Sequence, residues 1–173
     1  MIVEPDPLTW KEIVQRLSDA RYFWVHTTSP YGAPNATPVW GVVLDDAFYI
    51  YTESGTRKAR NLRANSRVIV HLESAEDVLI VHGHLDYRGH PSAHQEVVSA
   101  FARKYDRPEE APFLPSAPFF DVLYALQPLH AMAWSLPDTE TSTRRWRAGR
   151  EGPAGDVSGS PAPYSHTDAA GAN

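Results

Sequence analysis

The chain has 173 residues with 16 Lys and Arg against 21 Asp and Glu, a formal net charge of −5, and 42% hydrophobic residues. That is enough apolar material for a single domain with a real core, and the acidic balance argues against a general nucleic-acid binder. The absence of cysteine excludes disulfides and thiolate chemistry and allows a reducing cytoplasm; no apolar run reaches the ~18 residues of a membrane span, and MIVEPDPLTW lacks the pattern of a signal peptide, so a cytoplasmic protein is expected.

Residues 8–20 predict an amphipathic helix, because Trp10, Ile13, Val14 and Leu17 recur at helical spacing, and Asp6-Pro7 supplies a start signal. Residues 21–28 (RYFWVHTT) are aromatic and β-branched, hence a strand, and the Ser29–Pro34 segment is a turn. Residues 35–44 predict a second strand in which Pro38, unable to donate to a ladder, marks an edge or a bulge. Asp45-Asp46 turns the chain into a third strand at 47–52. After a basic helix, strands are expected at 68–72 and 77–87, joined at Ser74-Ala75-Glu76. A helix follows from Ser92 to Tyr105, with Ser92 and Gln95 as a capping box and Val97, Val98, Phe101 and Tyr105 as its apolar stripe. Residues 107–119 are Pro-rich and irregular. Strands at 120–126, 129–136 and 143–147 complete a domain over residues 1–147. Residues 148–173, dominated by Ala, Gly, Pro and Ser, predict a disordered tail. Strands joined mostly by short turns indicate an antiparallel barrel with peripheral helices.

The stretch from Tyr51 to Arg67 carries the chemistry. A strand ends at Thr52, a turn follows at Ser54-Gly55, and Thr56 stands as the N-cap of a helix that opens on Arg57 and Lys58. A helix N-terminus offers free N–H groups and the positive end of the dipole, so it favours an anion. Two adjacent cations add charge-assisted bonds of the kind phosphate accepts. Arg60, Arg63 and Arg67 extend the basic series, which on its own also suits a solvated helix face. His82 and His84 share a strand face, and His26 or His71 could join them, but without nearby Cys or acidic ligands no metal site is expected. No nucleophile elbow is present, so no catalytic side chain is assigned.

YTESGTRKARNLRANSRV resembles the cofactor-phosphate segment of the pyridoxamine 5′-phosphate oxidase-like, FMN-binding split-barrel superfamily, and is most similar to its small members that use a flavin or coenzyme F420. The resemblance extends over about residues 8–147, through RYFWVHTTSPYGAPNATPVWGVV to a late AW…TRRWR ending. It implies a six-stranded split β-barrel and a homodimer with cofactor sites at the interface. It further implies that Thr56, Arg57 and Lys58 hold the phosphate beside Tyr51, Thr52 and Ser54, and that Thr37, Pro38, Val39 and Trp40 line the ring through backbone contacts. Arg63 would extend a groove for the F420 polyglutamate tail, and Trp146 with its arginines would come from the partner chain. Pyridoxamine 5′-phosphate oxidases proper carry cations on the second and third strands and an Arg-x-His near the C-terminus. ATPVWGVVL, AFYIY and TRRWRAGR have none of these, which argues against pyridoxal phosphate synthesis. The resulting expectation is an oxidoreductase moving hydride between F420 or FMN and a small-molecule substrate. The alternative is a non-catalytic flavin- or haem-binding protein, with His26, His82 or His84 as axial ligand. An adaptor for nucleic acid or an acidic partner is the third possibility, disfavoured by the net charge.

Overall fold

The computed structural model describes residues 6–149, so the expectation of a disordered tail falls, from residue 150 onward, outside the described residues. Among these, eight strands occur: β1 (Tyr22–Thr28), β2 (Pro34–Trp40), β3 (Val42–Leu44), β4 (Ala47–Thr52), β5 (Arg67–Leu72), β6 (Asp77–Gly89), β7 (Val122–Ser135) and β8 (Arg144–Arg147). The helices are α1 (Trp10–Asp19), α2 (Arg57–Ala64), α3 (Gln95–Lys104) and a single turn, α4 (Thr139–Ser142). The strands form one antiparallel sheet in the order β2-β1-β5-β6-β7-β4-β3, with β8 on β7. β2 and β3, the two ends of this path, are consecutive in the chain, so the sheet curls into a barrel left open between them.

The resemblance implied six strands. The count rises to eight because Gly41 breaks the expected 35–44 strand into β2 and β3, and β8 adds a short strand to β7. At Gly41 the backbone lies so close to Phe48 that a Cβ would sit 2.3 Å from its Cζ. The Gly41 N–H donates to the Tyr105 hydroxyl (2.9 Å), which donates to the Arg21 carbonyl (2.5 Å). Lys104 donates to the Gly41 carbonyl at 3.0 Å. Helix α3 thus fixes the break through its last residue and its C-cap. Residues 120–126 and 129–136, expected as two strands, are one strand, β7, whose register against β6 shifts at Gly83 and Pro128.

Helix α1 begins two residues later than expected. Thr9, not Asp6, caps it: Thr9 Oγ1 accepts from Glu12 N–H (3.2 Å) while Thr9 N–H donates to the Glu12 carboxylate (2.9 Å), a reciprocal capping box. Arg144 pairs with that carboxylate at 2.9 Å and ties β8 to the helix start. The Ser92–Gln95 capping box does not form. Pro91–Ala93 is a short 3-10 turn, and Gln95 donates to the Ser92 carbonyl instead.

Inside the barrel Ile13 and Leu17 of α1 and Leu62 of α2 pack with Phe23, Val25, Phe48, Ile50, Val70 and Val81. A second cluster lies outside β3, β4 and β7, where Val97, Ala100 and Phe101 of α3 and its C-cap Tyr105 cover Val42, Tyr51 and Leu123. The irregular segment after α3 is held by Arg21, whose guanidinium meets both Glu110 carboxylate oxygens at 2.6 and 2.8 Å.

Candidate functional site: the start of helix α2

The Thr56 side chain caps α2 by accepting from Ala59 N–H at 3.3 Å, and its hydroxyl donates to the Glu53 carbonyl at 2.9 Å. Thr52, buried at the end of β4, sits 3.3 Å from the same oxygen. The N–H groups of Arg57 and Lys58 find no acceptor among the described residues. Asn61 donates to Thr27 at 2.9 Å and pins the helix to β1. Lys58, one turn earlier on that face, is only 8% exposed and has neither hydrogen bond nor ion pair among the described residues. Burial lowers its pKa, and the nearby Glu53 only partly offsets this. An ammonium taken out of water with no partner is costly. Together with two free N–H groups in the same first turn of α2, it suits an anion.

The turn before the helix is braced in ways the sequence did not reveal. The Asp121 carboxylate accepts from Ser54 N–H (2.6 Å) and from its hydroxyl (2.5 Å), which holds the carboxyl below its usual range. Asp121 lies 67 residues along the chain, so no local spacing announces it. It also occupies both Ser54 donors, which makes Ser54 part of the turn's scaffold. Arg60 donates to the Gly55 carbonyl (2.6 Å) and Arg63 to the Ser54 carbonyl (3.0 Å). Arg63 stands about 140° around the helix from Lys58, so the structure separates these two cations. Arg63 lines a cavity of about 770 Å³ between α2 and the facing ends of β6 and β7, with Arg88, Tyr87 and Tyr124.

Tyr51 points to the face of β4 opposite Thr52. It packs edge-on against Phe101 and Phe120, both at 4.7 Å, and its hydroxyl donates to the Phe113 carbonyl. It is a core residue of the second cluster, away from the α2 start. In β2 the ladder runs to β1 only, so the strand is an edge, as Pro38 suggested. Thr37 is half-buried and accepts from Asn35 at 3.0 Å, Pro38 is exposed, and Val39 enters the core. The Trp40 ring stacks on Tyr105 at 4.3 Å with planes 3° apart, so its flat face is already used within the chain.

Among the described residues no helix is long and apolar enough to cross a membrane. The model of the family described as pyridoxamine 5′-phosphate oxidase matches residues 9–123, well over half of the chain. The chain belongs to the pyridoxamine 5′-phosphate oxidase family. No curated protein matches the sequence. Solved structures with the same split-barrel fold include the conserved hypothetical protein Rv2991 from Mycobacterium tuberculosis, at 21% identity over 77% of this chain and 89% of that one, TM-score 0.64. An F420 reductase matches at 20% identity over 73% and 98% of the two chains, TM-score 0.55. The heme storage protein HutZ from Vibrio cholerae matches at 19% identity over 68% and 86%, TM-score 0.54.

For a member of this family, Trp146 departs most from expectation. It was to reach a partner's cofactor. Instead it is buried in its own barrel, its ring 5.1 Å from Trp10, and its indole N–H has no hydrogen-bond partner among the described residues. Its neighbours Arg145 and Arg147 are the exposed members of β8. Of the histidines, His84 Nδ1 meets the Ser66 hydroxyl at 3.0 Å, His82 stacks on His130, and His26 Nε2 meets His71 Nε2.

Proposed function

We propose that the protein is an oxidoreductase that holds F420 or FMN by its phosphate at the start of α2. The observation that supports this is Lys58: a nearly buried ammonium with no partner among the described residues, in the same first turn of α2 as the free N–H groups of Arg57 and Lys58 and just after a turn locked by Asp121. The residues present fit a phosphate there. The bound cofactor would supply the hydride chemistry, which agrees with the lack of any assigned nucleophile or catalytic acid. The chain's own part is to bind and orient. Thr56 and the Ser54-Gly55 turn aim the N–H groups, Lys58 neutralises the anion, and the free edge of β2 around Thr37, Pro38 and Val39 offers backbone groups to a flat ring. A small-molecule substrate would then be aligned against that ring and shielded from water.

The protein is further proposed to work as a homodimer with its sites at the interface. The outward positions Ile80, Met132 and Trp134 of β6 and β7 are half-exposed and contiguous, Ile80 lying opposite Met132 in register. With Trp146 committed to the core, Arg145 and Arg147 are the residues of β8 left to meet a partner's cofactor.

The second reading is a non-catalytic flavin- or haem-binding protein. It draws on the likeness to HutZ and to a heme binding protein from Mycobacterium smegmatis (TM-score 0.60). Here His84 would serve as axial ligand, since the Nδ1 contact to Ser66 leaves its Nε2 free. Absorbance titration of the purified protein with FMN, F420 and haem, each alone, tests both readings. Saturable flavin or F420 binding is the expected result. A Soret band that outcompetes both would replace the first reading with the second.

A further inference from the structure

On the outward face of β1 and β5, the Nε2 atoms of His26 and His71 lie 2.9 Å apart. His71 Nδ1 is 2.6 Å from the Leu72 carbonyl. A carbonyl only accepts, so Nδ1 of His71 carries the proton and its Nε2 presents a bare lone pair. A backbone carbonyl that fixes the tautomer in this way is the usual support of a metal-ligating histidine. The Nε2 of His26 must then donate to His71, and its proton can move to His26 Nδ1, which has no partner among the described residues. Both Nε2 atoms would then carry lone pairs 2.9 Å apart, which a small ring rotation can turn toward a shared ion above the sheet.

The spacing selects the ion. Two nitrogens 2.9 Å apart, each about 2.0 Å from a metal, subtend about 90°. A tetrahedral zinc centre needs them about 3.3 Å apart at the same bond length. Right-angle nitrogen ligation is the geometry of tetragonal copper(II) and nickel(II). Both rings are half-exposed, leaving room for water in the remaining positions. No group of three or more His, Cys, Asp or Glu is placed to hold a metal among the described residues, so the pair would act as a two-point chelate.

We propose that His26 and His71 form a bidentate site for a tetragonal divalent transition ion, with copper(II) as its best occupant. The site is separate from the α2 start and stands whether or not the cofactor reading does. Trp24 lies directly opposite His71 in the β1–β5 register, so a paramagnetic ion there should quench its fluorescence. His82 and His130 provide an internal control. Their rings stack face to face at 4.2 Å, so their nitrogens do not converge.

The test is titration of the full chain with copper(II) chloride, read by tryptophan fluorescence and electron paramagnetic resonance. One ion per chain with hyperfine splitting from two imidazole nitrogens is expected. His26→Gln and His71→Gln should each weaken binding at least tenfold, with unchanged circular dichroism, while His82→Gln leaves it unaltered. Trp24→Phe should remove most of the quenching but keep the resonance signal. Copper binding that survives both His26→Gln and His71→Gln, or that is lost equally in His82→Gln, overturns the proposal. So does a stronger, stoichiometric preference for zinc.

Discussion

Replacing Lys58 by methionine separates a binding residue from a structural one. Methionine keeps the unbranched stem that packs beneath α2 and removes only the charge. In the free protein the lysine is 8% exposed with no partner among the described residues, and burial lowers its pKa from the ordinary 10.5. Removing it should therefore raise stability by about 1–3 kcal/mol, the cost of burying a polar group without a partner. Phosphate binding should lose one charged hydrogen bond, about 1.5–3 kcal/mol, or roughly 10- to 150-fold in Kd. The pH dependence has a definite sign. While charged, a base with a depressed folded pKa weakens the fold, and stability recovers as pH rises from the folded toward the unfolded value. Wild type should thus gain on Lys58→Met in alkaline urea melts. Its cofactor affinity should fall over the same range as the ammonium loses its proton. Fluorescence titration with FMN and F420, beside urea melts of the free protein, measures both effects. A Lys58→Met protein that is destabilised yet binds both cofactors normally would mean that Lys58 supports the fold and that no anion site exists there.

Gly41→Ala should cost about 2–3 kcal/mol, as overpacking does, because its Cβ would fall 2.3 Å from Phe48 Cζ; urea melts check this, and a Phe48→Leu background should recover part of the loss. Lys104, whose pKa is lowered to about 8 first by burial and then by Arg21, makes the folded state bind fewer protons than the unfolded one between about 8 and 10.5. Stability should rise with pH across that window in wild type more than in Lys104→Met, and parallel profiles in urea melts at pH 7.5 and 9.5 would count against it. Light scattering should show a dimer at micromolar concentration, and Met132→Glu on the half-exposed face should shift it to monomer; a stable wild-type monomer would remove the basis for a shared site.

What could be read from the sequence is what depends on near neighbours. The Ser54-Gly55 turn, the Thr56 cap and the first turn of α2 involve residues within a few positions of one another, and the structure has them where they were expected. The Thr9–Glu12 box is equally local, but Asp6-Pro7 two residues upstream offers a competing start signal of the same kind. Long-range partners explain most of the other differences. The break at Gly41 depends on Phe48, Tyr105 and Lys104, and the state of Ser54 depends on Asp121. Burial of Lys58 was also hidden, since a basic run reads as outward-facing until Asn61 is seen to bond Thr27 beneath it. Trp40 and Trp146 show the limit of aromatic residues as cofactor signals: each satisfies its surface within the chain, on Tyr105 and on Trp10.

Under the proposed function, the basic series after Lys58 would distinguish FMN from F420, though not through all of its members. FMN ends at its phosphate, whereas F420 continues into carboxylates. A residue that reads only this extension must be free of the turn that both cofactors share. Arg60 and Arg63 are not, since they donate to the Gly55 and Ser54 carbonyls. Arg63→Ala should loosen that turn and weaken both cofactors. Arg67 is different: it is exposed at the first position of β5, and its guanidinium has no partner among the described residues. The eight residues of α2 place it on the order of 12 Å or more beyond the helix start, too far for the phosphate of FMN. Arg67→Ala should leave FMN affinity unchanged and weaken F420 by roughly two- to fivefold, as an exposed ion pair allows, with the difference shrinking at high salt. Paired titrations of the two variants at 20 and 500 mM salt decide the matter. Equal losses for both cofactors in Arg67→Ala would show that the run contributes only general charge and does not tell F420 from FMN.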